Sequence, residues 1–309
     1  MSLRRIHIAA GAAIFFALTC GADPNAASPT ASNGSGNCAI CFFGPDNLAF
    51  TADGTAYVTD NDHRGHFRVL HLDRTGHLLE DWRPFAPAKG EEGGPEGIAV
   101  DRFGDVWVTD SAARSVLHIV PSGRILERRG GFHDVGHVAV DECARLYVAE
   151  GGAGRVQAFA ANGIRIANWN SALNAKALTW KYPEGLALLP HGQLAVEDWG
   201  HRRVVLLNAN GRLRAIIGGS QQPGTLNNSS GIAADASGNI YVAETATHKI
   251  IKFGPSGRIV RTFTNDREDM PFTVGPTSVA VDHDGRIYAA DGRSVVVLDR
   301  QGRLRQRWR

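Results

Sequence analysis

The side chains able to do chemistry in this sequence fall on a few short polar segments. Asn61-Asp62-His63-Arg64-Gly65-His66 places two imidazoles and a carboxylate close together. These are metal-ligand types, but the spacing does not complete a ligand set, and a solvated polar loop is the commoner source of such a composition. Asp198-Trp199-Gly200-His201-Arg202 sets an indole among polar residues. An indole on a loop must pack on a neighbour or meet a ligand. Asp46, Glu96 and Glu184 follow prolines in similar phrases, and His137 stands near a matching place. Three carboxylates near one axis could hold Ca²⁺ or another hard cation, although Pro-Glu-Gly also serves simply as a turn. Twelve histidines spread over the chain make chance pairings easy, so no Ser-His-Asp or Cys-His arrangement is inferred.

These segments are positioned by a repeat. A Gly, replaced by Ala144 in one unit, is followed by a short β-branched or aromatic run and then an acid: Gly54…Asp60, Gly104…Asp110, Ala144…Glu150, Gly192…Asp198, Gly238…Glu244 and Gly285…Asp291. Each phrase follows an apolar run such as Ile98-Ala99-Val100, and precedes a third run ending near Gly76, Gly123, Gly163, Gly211, Gly257 or Gly302. Short Val-, Ile- and aromatic-rich runs between Gly or Asp/Asn turns read as strands. Six units of four strands at a period of roughly 46 residues fit an all-β, six-bladed propeller of antiparallel blades. The repeat also accounts for many of the 36 glycines, well above the usual frequency of about 7%.

The phrases Pro95-Glu96-Gly97-Ile98-Ala99-Val100-Asp101 and Gly231-Ile232-Ala233-Ala234-Asp235 resemble the NHL repeat. The resemblance covers about residues 45–309. It implies the fold, while NHL propellers include protein-binding modules, RNA-binding modules and a few lyases, and fold does not choose among them. The NHL-like peptidyl-hydroxyglycine lyases carry zinc-binding His where each inner strand begins. The matching positions here are Asp46, Glu96, Gly136, Glu184, Ser230 and Thr277, with His137 one place later, so a three-His zinc site is not supported. Gluconolactonase-like and streptogramin-lyase-like propellers also depend on acids or His, and none of their motifs is matched.

A meander topology puts the start of each inner strand and each second-to-third turn on one face. An acid present in all six blades is expected to cap turns or pair with the base that follows it, such as Arg114, Arg155, Arg203 or Lys249. Residues that break the symmetry are the better site candidates: Asp46, Glu96, His137, Glu184, His63, His66, Trp199, His201 and Arg202.

Arg4 and Arg5 precede an uncharged apolar run from Ile6 to Leu18. It is too short to span a bilayer and fits a signal peptide over 1–22. Cys20 offers a lipidation alternative with the signal ending at 19. Residues 23–37 read as a disordered linker, and 38–309 as the propeller. Removing 1–22 leaves 31 basic and 31 acidic residues, which disfavours nucleic acid as a partner. Arg300, Arg303, Arg305, Arg307 and Arg309 read as the solvent face of an edge strand.

Export permits disulfides. One of Cys38 or Cys41 is expected to bridge to Cys143, with a Cys38–Cys41 bridge as the alternative. Ala39 to Phe43 is expected against an outer edge, since the last unit already has four strands. The sequence thus reads as an exported monomer, periplasmic, extracellular or lipid-anchored, touching membrane only through a lipid. It would bind a protein or small molecule through the face where the inner strands begin, rather than act as an enzyme. No cofactor is assigned beyond a divalent cation (Ca or Zn) at the channel mouth. The alternative is a metal-assisted lyase or hydrolase at that mouth.

Overall fold

Tyr57-Val58-Thr59-Asp60 and its five counterparts form the second strand of each blade, because branched and aromatic side chains fit a pleat packed on both sides. In the computed structural model, residues 40–62, 65–85, 93–170, 178–219, 226–264 and 271–309 are described. Residues 1–39, which hold the expected leader and linker with Cys20 and Cys38, and His63 lie outside the described residues.

Among the described residues, twenty-four strands form six four-stranded antiparallel sheets, each a meander in chain order. The inner strands are β1 (Pro45–Phe50), β5 (Pro95–Val100), β9 (Val135–Val140), β13 (Pro183–Leu189), β17 (Ser229–Ala234) and β21 (Ser278–Val281). Each packs on the next, and β1 packs on β21, closing the ring. The second strands are β2 (Ala56–Asn61), β6 (Val106–Asp110), β10 (Leu146–Glu150), β14 (Gln193–Asp198), β18 (Ile240–Glu244) and β22 (Ile287–Asp291). Apolar clusters fill the seams between neighbouring blades, as with Ala187, Ala195, Leu206, Ile232 and Val242 between blades 4 and 5. Ala144, which replaces a turn glycine, takes the left-handed conformation its alignment predicts, at φ +56.

The last blade closes with its own outer strand, β24 (Leu304–Trp308). The segment before β1 does not lie on an outer edge. Ile40 and Phe42 are buried in the seam of blades 6 and 1, beside Ala290 and Val295. Arg68 Nη2 donates to the Cys41 carbonyl at 2.7 Å and Arg293 Nε to the Phe42 carbonyl at 2.9 Å. Two apolar side chains make burial more favourable than exposure at a rim.

The six repeated acids are structural. All are at most 2% exposed. Five accept backbone N–H groups from the loop leading into their own blade: Asp60 from Gly44 (2.8 Å), Glu150 from His133 (2.9 Å), Asp198 from Lys181 (2.7 Å), Glu244 from Asn227 (3.0 Å) and Asp291 from Gly275 (3.0 Å). Asp110 accepts from Ala113 at 3.1 Å. Arg155 and Arg203 pair with their acids as expected, while Asp110 pairs with Arg128 instead of Arg114. Arg307 leaves the expected solvent face and donates to Asp291 at 3.1 Å and Ser294 at 2.8 Å.

Candidate active site at the channel mouth

The mouth is built from irregularities at the start of the inner strands. In β1, β5, β9 and β13 the ladder to the second strand slips, leaving Asp46-Asn47, Glu96-Gly97, Gly136-His137 and Glu184-Gly185 out of regular register. A bulge breaks the alternation and re-aims side chains. Glycine then lets neighbouring strands approach. A Cβ on Gly97 would lie 2.5 Å from the His137 Cα, and one on Gly136 would lie 3.0 Å from the Glu184 carbonyl oxygen.

Polar side chains sit along this rim. Asn47 Nδ2 lies 3.0 Å from His137 Nδ1, both residues being buried. Glu96 is 4% exposed, and Asp46 and Glu184 are half-buried. Thr59 Oγ1 donates to the Glu96 carbonyl at 2.8 Å, and Thr109 Oγ1 accepts from the Gly97 N–H at 2.8 Å.

At the register position of Thr59 and Thr109, blade 4 carries Glu197. Its carboxyl is 1% exposed, and neither oxygen has a hydrogen-bond partner. Burial, and next the negative charge of Glu184, push its pKa up to about 8, so it holds a proton at neutral pH. The nearby Ser229 hydroxyl acts in the opposite sense, without completing a hydrogen bond of ordinary geometry. The Ser278 hydroxyl, against Gly231 on the next inner strand, is likewise unsatisfied. Gly185 makes the room for Glu197: a Cβ there would lie 2.6 Å from Glu197 Oε2 and 2.8 Å from Ile232 Cγ2.

Glu197 escaped the sequence reading, although a signal was present. Aligning the six units places Thr59, Thr109, Ala149, Ala243 and Ala290 at its position. A lone acid among Thr and Ala on a buried strand is the symmetry break to look for.

The expected candidates are distributed around the mouth face. Asp62 pairs with His66 at 2.7 Å, and Phe43 contacts the His66 ring at 5.0 Å. His201 Nδ1 binds Asp198 Oδ2 at 2.9 Å, and Arg202 is exposed with left-handed backbone. Trp199 packs edge-on against Tyr182 at 5.9 Å and remains 44% exposed. The Cys143 bridge to Cys41 is not formed. Both thiols are free and exposed; Cys143 sits in the turn from β9 to β10, at the far end of its blade, while Cys41 lies by the mouth loops. The Cys38–Cys41 alternative likewise finds Cys41 free.

Two other places could attract a ligand. Among the described residues, Asp101, Asp105 and His118 bring ligating atoms within 4.8 Å of one another. That set could hold a metal, but its groups are already engaged. Asp101 accepts from the Phe103 and Asp105 N–H groups at 2.9 and 3.0 Å, and Asp105 binds His118 at 2.8 Å. Asp141, Asp235 and Asp282 cap the same turn in other blades. A cleft of about 990 Å³ also opens at the far face. Two of its charge pairs close internally, Arg145 with Asp141 at 2.6 Å and Lys252 with Asp235 at 3.4 Å. The unsatisfied buried groups at the mouth make the stronger chemical case.

Comparison with known proteins agrees with the architecture. Residues 42–129 match the family model described as SMP-30/Gluconolactonase/LRE-like region. Peptidyl-glycine alpha-amidating monooxygenase A of Xenopus laevis is 26% identical over 233 residues, covering 66% of this chain and 24% of that protein. The chain thus spans about a quarter of the length of the curated relatives it matches. Among solved structures, a streptogramin B lyase superposes with TM-score 0.63 at 15% identity, covering 87% of this chain and 84% of its own. A gluconolactonase from Xanthomonas campestris gives TM-score 0.61 at 15% identity, with coverages of 83% and 86%. At such identities these likenesses concern the fold.

Proposed function

We propose that this chain is a metal-assisted lyase or hydrolase whose site is the channel mouth, with Glu197 and Glu184 at its centre. The observation that carries the reading is the Glu197 carboxyl, which is fully buried, has no hydrogen-bond partner of its own and lies close enough to Glu184 to feel its charge. A buried acid left in that state is costly to folding and is characteristic of functional sites. The partial match to a gluconolactonase-containing family region, and the lyases and lactonase among similar folds, favour catalysis over the binding module expected from sequence.

The residues present suit a hard divalent cation. Two carboxylates and the unsatisfied Ser229 hydroxyl would supply oxygen ligands, the donor type that Ca²⁺ and Mg²⁺ prefer. When bound, such a cation would polarise a carbonyl or ester oxygen of the substrate. Glu197 would give up its proton on loading, since ligands bind deprotonated. Glu184, half-buried and open to solvent, would take a proton from water or from a substrate carbon. His137, fixed against Asn47, would orient the substrate from blade 3. The leader at 1–22 would place this activity outside the cytoplasm.

Metal analysis of the purified chain, with turnover of a small lactone followed by acid release, tests the reading. One equivalent of divalent metal is expected, lost in both Glu197→Gln and Glu184→Gln together with activity. Folded, metal-free protein that takes up no added divalent cation would refute it.

A further inference from the structure

Blade 4 carries more than its two carboxylates. Tyr182 precedes Glu184 by two residues, and Trp199 follows Glu197 by two. The other five indoles are at most 9% exposed, whereas Trp199 is 44% exposed. Its counterparts after the repeated acid are Asn61, Ser111, Gly151, Thr245 and Gly292, so the indole is peculiar to this blade.

The ring beside it is held at a cost. Tyr182 has φ +67, at the position that Asp134 (φ +54) and Gly275 (φ +101) hold in two other blades. A left-handed non-glycine residue is strained and persists only when its surroundings over-determine it. Here they do. The Tyr182 hydroxyl donates to Asp134 Oδ2, and Asp134 is itself left-handed at φ +54. The Tyr182 ring lies over Gly151, where a Cβ would come within 2.7 Å of it. Trp199 N–H donates to the Tyr182 carbonyl at 3.2 Å and Gly200 N–H to the Lys181 carbonyl at 2.7 Å. The two rings meet at 65° with centroids 5.9 Å apart. The result is a fixed edge-to-face pair with an accessible indole, joined through short backbone links to both carboxylates.

We propose that Trp199 and Tyr182 form a subsite that receives an aromatic ring of the substrate. This rests on the placement of the active site at Glu197 and Glu184. The Tyr182 hydroxyl is committed to Asp134, so the two rings offer their faces and a single donor, the Trp199 indole N–H. An aromatic ring is satisfied by faces and edges, whereas a sugar ring also needs partners for its hydroxyls.

Ring binding can be read without metal or turnover. The full chain is titrated with N-acetyl-L-phenylalaninamide, and in parallel with methyl α-D-glucopyranoside, by saturation-transfer NMR. The amide should bind through its phenyl protons, and Trp199→Ala should weaken it by about three- to tenfold, as for loss of one aromatic contact. Circular dichroism checks that this surface variant stays folded. No binding of the amide, binding indifferent to Trp199→Ala, or binding of the glucoside as tight as the amide would each overturn the subsite. Glu197→Gln separates the two readings. Retained amide binding in that variant supports an independent shelf even if its metal content shows the carboxylate site to be wrong. Amide binding lost in that variant while the fold persists would overturn the shelf.

Discussion

Glu197 should make stability depend on pH in the sense opposite to a salt-bridged acid. Its pKa rises from the ordinary 4.5 to about 8 on folding. Below pH 4.5 the group is protonated in folded and unfolded chains alike and costs nothing differential. Between pH 4.5 and 8 the unfolded chain ionises while the folded one does not, so stability falls as pH rises. Each pH unit corresponds to about 1.4 kcal/mol, which gives about 3 kcal/mol at pH 7 and on the order of 5 kcal/mol above pH 8. Glutamine mimics the protonated acid in shape and removes this penalty. Urea unfolding of wild type and Glu197→Gln across pH 4.5 to 8.5, with chelator present, should therefore diverge: the variant gains little at pH 4.5 and several kcal/mol at pH 8.5. A divalent cation at millimolar level should narrow the gap by binding the folded carboxylate. A stability difference that stays flat with pH would refute the reasoning, because it would mean the carboxyl is solvated or paired.

Further outcomes are expected elsewhere. Gly185→Ala would drive a Cβ to 2.6 Å from Glu197 Oε2, so it should abolish metal uptake and lower the thermal midpoint by several degrees, measured by calorimetry with and without cation. Asp291 is held below the usual carboxylate range: burial acts to raise it, but hydrogen bonds from Thr273, Val274 and Arg307 prevail. Its stabilising contribution is therefore present above the ordinary carboxylate pKa and lost as pH falls through the folded value. Asp291→Ala should cost about 3–5 kcal/mol in urea unfolding at pH 7 by stranding Arg307, and Asp291→Asn should flatten the acid limb. Cys41 and Cys143 should each alkylate rapidly in native, unreduced protein by peptide mapping; protection of either thiol would restore the disulfide expectation.

The blades were legible because their physics is local. Turn glycines, branched runs and a repeated acid recur in register, and each unit needs its neighbours only to bury the seams. The same symmetry argument correctly assigned the repeated acids to structure, as Asp60 and Asp291 illustrate. It also ranked Trp199 and Glu184 as candidates because they break the pattern. It missed Glu197, which lies beside a repeated acid, and it sent Ile40 and Phe42 to a rim when they fill the seam between the last blade and the first.

From composition and period alone, the chain determined a six-bladed all-β ring and the face on which its irregular residues gather. Only the tertiary structure decided which of them meet. The bulges at Glu96-Gly97 and Glu184-Gly185 change where side chains point, and the absent Cβ atoms set how closely adjacent inner strands approach. Burial and the nearness of Glu184 then determine the protonation of Glu197. Both depend on distances between blades, and no spacing along the chain encodes them.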